Sequence, residues 1–117
     1  MSPARPDRRA RLAELRASAP LFAALGDETR LGLVARLVAD GPSSIARLTA
    51  GAHITRQAVT KHLNVLAGAG LVRGVRRGRE RLFELEPDQL DEARRWLDGI
   101  SAQWDQALAR LKASVEE

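Results

Sequence analysis

The chain has 117 residues, room for one domain with one modest core, and 44% of them are hydrophobic, an ordinary share for a globular fold. It has no cysteine, which excludes a disulfide-stapled fold and any thiolate metal site, and its 3% aromatic content is too low for the stacking platforms that hold single-stranded nucleic acid. The formal net charge of +4 is a weak pointer to a polyanionic partner, so its distribution matters more than its sum.

Residues 1–7 carry Pro3 and Pro6 and little to bury, and are expected to be disordered. A helix is predicted over Arg8–Ser18 with Leu12 and Leu15 on one side; Pro20 is expected to break it, leaving a short helix from Leu21 to Leu25 that Gly26 ends. Asp27 is an N-cap residue, and Leu31, Val34, Leu37 and Val38 follow at helical spacing as an expected buried face. Gly41 is a natural helix stop, and Pro42 blocks continuation. Ser44 caps a further helix with Ile45, Leu48 and Ala52 inward.

His53 and Ile54 make a tight turn, and Thr55 caps the next helix, whose Val59, Leu63 and Leu66 form a buried stripe. Gly70 ends it. Two extended segments follow, about 71–75 and 81–85, with Arg77-Gly78 between them as a hairpin turn, and Pro87 opens a long terminal helix. The predicted fold class is mainly α with a small β-hairpin (α+β), in the order ααααββα. The expected organisation is an N-terminal arm (1–18), a core (19–86) and a C-terminal helix for self-association (87–117).

Residues 55–81 hold seven basic side chains against the single acid Glu80, whereas residues 82–117 hold nine acids and four bases. One stretch therefore attracts phosphate and the next repels it. With Val59, Leu63 and Leu66 buried, the opposite side of the same helix carries Arg56, Gln57, Thr60, Lys61 and Asn64. Arginine grips guanine at two points, glutamine or asparagine does so with adenine, and threonine offers a hydroxyl and a methyl. Thr55 leaves backbone amides at the helix start, which suit a phosphate. The hairpin brings Arg76, Arg77, Arg79 and Arg81, suited to a DNA backbone or a narrow minor groove, while Leu71, Val72, Phe83 and Leu85 pin it to the core. These residues point to a helix lying in the major groove of duplex DNA with a basic hairpin beside it.

On the terminal helix Leu90, Ala93, Leu97, Ile100, Trp104, Ala107 and Leu111 recur at alternating spacings of three and four, widened by Trp96 and Leu108. Such a seam fits a second copy of the chain, and a two-fold dimer would present two reading helices to a palindromic site. Neither a cysteine- or histidine-centred nucleophile nor a phosphate-cradling glycine loop is found, so no enzyme is expected. A winged protein-interaction module without a DNA role is the alternative that the residues leave. No apolar run approaches the roughly 18 residues of a membrane span, and the charged start is unlike a secretory signal; the expected location is the cytoplasm, away from membranes.

Three segments carry a resemblance. Leu21-Phe-Ala-Ala-Leu-Gly-Asp-Glu-Thr-Arg-Leu resembles the opening of the ArsR/SmtB family of bacterial repressors. Ile54-Thr-Arg-Gln-Ala-Val-Thr-Lys-His-Leu-Asn-Val-Leu-Ala-Gly-Ala-Gly-Leu-Val resembles its recognition helix, and Arg76-Arg-Gly-Arg-Glu-Arg-Leu-Phe-Glu-Leu resembles its wing. The likeness covers about Leu21 to Leu111. It implies a winged helix-turn-helix repressor, dimeric through its first and last helices, which adds Leu21 and Phe22 to Leu97, Ile100, Trp104, Leu108 and Leu111 as interface residues. It also implies base contacts from positions matching Arg56, Gln57, Thr60, Lys61 and His62. His53 stands where the family has glycine, and is read as a turn residue able to take a left-handed conformation. The family's metal sensors use cysteines or a last-helix Asp/His/Glu set; the last helix here has no histidine, and a zinc site needs about four ligands in one small volume. The expected branch is therefore metal-free, with no cofactor and with no effector specified by these residues.

Overall fold

Each of the three central helices starts at a capping side chain. In the computed structural model, which describes residues 8–116, Asp27 accepts from the Arg30 amide, Ser44 from that of Arg47 and Thr55 from that of Ala58. The expected disorder of residues 1–7 lies outside the described residues. The helices are α1 (Arg8–Leu25), α2 (Glu28–Asp40), α3 (Ile45–Ala50), α4 (Arg56–Gly68) and α5 (Pro87–Glu116). Strands β1 (Ser43–Ser44), β2 (Val72–Arg77) and β3 (Glu80–Leu85) form one antiparallel sheet in the order β1-β3-β2. Thr55→Ala is expected to lower stability by about 1 kcal/mol through loss of the α4 cap; a lower urea midpoint at unchanged slope would show it.

Helix α4 is the centre of the core. Val59, Leu63 and Leu66 are fully buried among Leu33, Leu37, Leu48, Leu71, Val72 and Phe83. Its end is a tight reversal in which the Leu71 amide donates to the Leu66 carbonyl and the Gly70 amide to that of Ala67, a Schellman pair that requires a left-handed residue. Gly70 supplies it with φ +76°. The pair delivers the chain straight from α4 into the sheet, so the hairpin's place is fixed by the helix before it.

Helix α2 carries two arginines that each cap a neighbour. Arg30 Nε donates to the Ala24 carbonyl at 2.6 Å, at the C-terminal end of α1. Arg36 donates to the Leu48 and Arg47 carbonyls at 2.7 and 3.0 Å, near the end of α3. A cation at a helix C-terminus satisfies orphan carbonyls and matches the helix dipole. Neither staple was anticipated, because each joins residues that only the fold brings together.

Several expectations are corrected. Pro20 does not break the first helix: α1 is continuous through it, so the expected boundary at residue 18 falls inside a helix. Proline costs about 3 kcal/mol in a helix interior; here Leu21 and Ala24 are both buried just beyond it, and Phe22 packs on Trp96 at 5.3 Å between ring centres. On α2 Leu37 is buried as expected and Val34 partly so, but Leu33 is buried too, while Leu31 and Val38 are 52% and 66% exposed. Apolar residues surround much of that helix, and packing against α1, α4 and β3 together selects the buried side. Helix α3 ends at Ala50, leaving Ala52 in the turn. His53 has no left-handed backbone, since the positive φ values among the described residues belong to Gly41, Gly70 and Gly78. The two-residue strand β1, which pairs Ser43 with Phe83 and Ser44 with Leu82, was not expected.

The hairpin turn lies one residue later than expected. Arg77 pairs with Glu80, so the loop is Gly78-Arg79. Positive φ at Gly78 alone is the pattern of a type II′ turn, which matches the twist of the strands.

Helix α5 packs only at its start, where Ala93 is buried and Leu90 is partly so. From about residue 101 onward it is almost wholly exposed, and the radius of gyration is 19.2 Å against about 13 Å for a compact domain of this size. Leu21, expected between copies, is 3% exposed and belongs to the subunit's own core. Among the described residues no helix is long and apolar enough to cross a membrane.

Candidate nucleic-acid interface

Helices α3 and α4 meet at a corner, and the turn between them is held by the Ala52 amide donating to the Thr49 carbonyl at 3.0 Å. This geometry presents one side of α4 to solvent. Arg56, Gln57, Lys61 and Asn64 are exposed there, and Thr60 is half-buried. The Thr60 hydroxyl donates to the Arg56 carbonyl at 2.9 Å, which leaves its oxygen lone pairs and its methyl for any neighbour. Thr55, the cap, is exposed at the N-terminal end of the same face.

His62 does not share that face. At about 100° per residue it lies nearly opposite the mean direction of Arg56, Gln57, Thr60, Lys61 and Asn64. Its Nδ1 is 3.3 Å from Arg30 Nη1 and 3.9 Å from Asp27 Oδ2, both at the start of α2. The expectation that His62 touches bases is therefore withdrawn. Asp27 itself is held below the ordinary carboxylate pKa, chiefly by the Arg30 backbone amide that it caps, with the Arg30 and His62 side chains adding to the effect.

The hairpin stands beside α4, and a cleft of about 660 Å³ opens between them, lined by Ile45, Arg56, Gln57, Thr60, Arg79 and Arg81 among others. Arg76, Arg77, Arg79 and Arg81 are all exposed. Arg76 and Arg81 face each other directly across the two strands, and like charges so placed are destabilising unless something anionic lies nearby. The guanidinium of Arg81 lies over the Phe83 ring at 5.2 Å, and a Cβ on Gly74 would come within 3.1 Å of its Nε. Glycine at 74 thus leaves space for the arginine to lie flat across the sheet.

Not every arginine of the hairpin is free. Arg73 donates to Glu84 at 2.8 Å and to Glu86 at 3.2 Å, and the hydrogen bond to Glu84 leads in raising its pKa above the ordinary arginine value. The base of the hairpin is thereby neutralised, and its positive charge is concentrated at the tip. Among the described residues no group of three or more His, Cys, Asp or Glu side chains could hold a metal ion.

A polar helix face and a basic hairpin, set on a three-helix corner, define a winged helix-turn-helix of the DNA-binding type. Residues 25–75 match a family described as a helix-turn-helix domain. The chain is 39% identical over 85 residues to the HTH-type transcriptional regulator Rv2034 of Mycobacterium tuberculosis, covering 73% of this chain and 76% of that one. An ArsR-like transcriptional regulator from Rhodococcus sp. RHA1 superposes with a TM-score of 0.74 at 37% identity, over 86% of this chain and 93% of the other. A homodimeric winged helix-turn-helix domain from Mycobacterium bovis, at 24% identity and TM-score 0.60 over 87% and 91% of the two chains, has the same fold. The chain belongs to the ArsR family of transcriptional regulators, a family of DNA-binding proteins and not of enzymes.

Proposed function

We propose that this protein is a homodimeric repressor that places α4 in the major groove of a palindromic operator, with the β2–β3 hairpin as a wing on the flanking backbone or minor groove. The observation that carries this reading is the split of α4 into a fully buried aliphatic side and an exposed side of Arg56, Gln57, Lys61 and Asn64. Arg56, Gln57, Thr60 and Lys61 are assigned to base edges. Thr55, Asn64, Arg76, Arg77, Arg79 and Arg81 are assigned to phosphates or the minor groove. The opposed Arg76 and Arg81 support the wing assignment, because bound phosphate relieves their repulsion.

Self-association is supported by surface that the subunit cannot cover alone. Leu97, Ile100, Trp104, Leu108, Leu111 and Val115 are 41–78% exposed, and at 100° per residue they fall within an arc of about 80° on α5. Leu12 and Leu15 of α1 are exposed as well, at 49% and 43%. Two copies joined along these helices give the two-fold symmetry that a palindrome requires. The part from α2 to β3 (28–85) is the DNA-reading part on this view, and α5 (Pro87–Glu116) is the dimerisation helix.

Selection of bound duplexes from a random pool tests the whole reading. The expected result is a palindrome with half-sites about one helical turn apart, bound with a log–log salt slope near −9 if about ten phosphates are contacted. Arg56→Ala or Gln57→Ala should lose about 1–3 kcal/mol of discrimination at one position, whereas Arg79→Ala should weaken all sequences alike. A flat salt response would turn the reading toward a protein-interaction module. Repression itself is read from a reporter placed behind the selected operator.

A further inference from the structure

We propose that Arg30 is a positioning residue for DNA binding, which sets the pose of α4 by holding His62 against the end of α1. The proposal rests on the reading of α4 as the recognition helix. One guanidinium reaches three places: Nε donates to the Ala24 carbonyl at 2.6 Å, Nη2 to the Ala23 carbonyl at 3.4 Å, and Nη1 meets His62 Nδ1 at 3.3 Å. It therefore ties together the end of α1, the start of α2 and the middle of α4, 32 residues along the chain from its own position. The planar fork of arginine makes three such bonds from one rigid group, which a lysine cannot do. His62 lies on the side of α4 away from the exposed Arg56, Gln57 and Lys61, so the contact leaves the reading face free while adding a polar tie to the packing of Val59, Leu63 and Leu66.

The contact has a chemical condition. Arginine only donates, so His62 Nδ1 must be the unprotonated acceptor. Protonation converts that acceptor into a second cation beside the guanidinium. The charged groups in contact with His62 are Arg30 and Asp27, both from the start of α2, and α1 presents the Ala23 and Ala24 carbonyls to the same guanidinium. A protonated His62 is repelled by Arg30 and drawn toward Asp27 Oδ2 at 3.9 Å, where it competes with the cap of α2. The bond to Arg30 is thus present only while His62 Nδ1 carries no proton.

The test measures affinity for the duplex selected from a random pool, using full-length protein at about pH 8 and about pH 5.5, a range that spans ordinary histidine titration. Wild type should bind about tenfold more weakly at the lower pH, the worth of one charge-assisted hydrogen bond. His62→Asn, which keeps an acceptor near the Nδ1 position and does not titrate, should bind within about threefold of wild type at pH 8 and show a flat profile, although His53 is still present. His62→Leu and Arg30→Lys should be about tenfold weaker at pH 8 with the selected consensus unchanged; thermal melts establish that they are folded. A His62→Asn profile as steep as wild type, or wild-type affinity in His62→Leu, overturns the proposal and leaves the function standing. A changed consensus in His62→Leu also overturns it, in favour of direct base contact. If the wild-type protein selects no duplex at all, the functional reading fails first.

Discussion

Trp104→Glu combined with Leu108→Glu is expected to convert the protein to a monomer and to weaken operator binding by about a hundredfold or more. Both side chains are exposed in the single subunit, at 63% and 45%, so the change removes no contact from the subunit's own core. In a dimer the same positions lie in an apolar seam, where an unpaired carboxylate costs several kcal/mol to desolvate. Loss of the second subunit matters beyond its contacts, because two linked reading heads bind the second half-site as an intramolecular step, a gain of about 10² to 10⁴. Light scattering after gel filtration gives the mass, and fluorescence anisotropy on the selected duplex gives the affinity. A variant that stays dimeric, or a wild-type protein that is monomeric at micromolar concentration, would remove α5 as the interface. A monomeric variant that binds as tightly as wild type would detach assembly from recognition.

Leu63→Ala should damage the fold severely, at about 2–5 kcal/mol. Leu63 has no exposed surface and sits between Val59 and Leu66 on the buried side of α4. Truncation there loses the transfer free energy of the side chain and opens a cavity under the exposed polar face of α4. Against a total of about 5–15 kcal/mol for a domain of this kind, such a loss leaves little in reserve. Leu63→Met, which conserves volume, should cost less than about 1.5 kcal/mol. Chemical denaturation of both variants reads the difference. Equal stability of Leu63→Ala and wild type would contradict the packing described for α4.

The parts of the fold that could be read from sequence are those whose signal is local and periodic. Val59, Leu63 and Leu66 repeat at the helical period, and Asp27, Ser44 and Thr55 announce helix starts through their own side chains. The opposite face of α4 follows from the same period, which is why Arg56, Gln57, Lys61 and Asn64 emerge exposed. Local signals mislead where several solutions satisfy them. Helix α2 has apolar residues on more than one side, so its period fits the expected stripe of Leu31, Val34, Leu37 and Val38 as well as the observed one, in which Leu33 and Leu37 are buried and Val34 partly so. Pro20 carries a strong breaking signal that burial of Leu21 and Ala24 overrides. Strand β1 is two residues long and shows no alternation, and only its pairing with β3 defines it. The arginine staples and the turning of His62 toward α2 depend on partners far along the chain, where no spacing rule reaches.

The outer reach of α5 makes subunit abundance a structural variable. Residues 101–116 add about 24 Å of helix with almost no burial in their own subunit, and a free helix of that length is marginal in water. In the proposed dimer, pairing with another copy is what keeps those turns wound, so scarcity and unwinding go together. A cell holding few copies would hold chains with frayed, protease-accessible tails, whereas one holding many would keep them coiled and long-lived. Because dimer formation rises with the square of free subunit, supply would set both the lifetime of the protein and its hold on DNA.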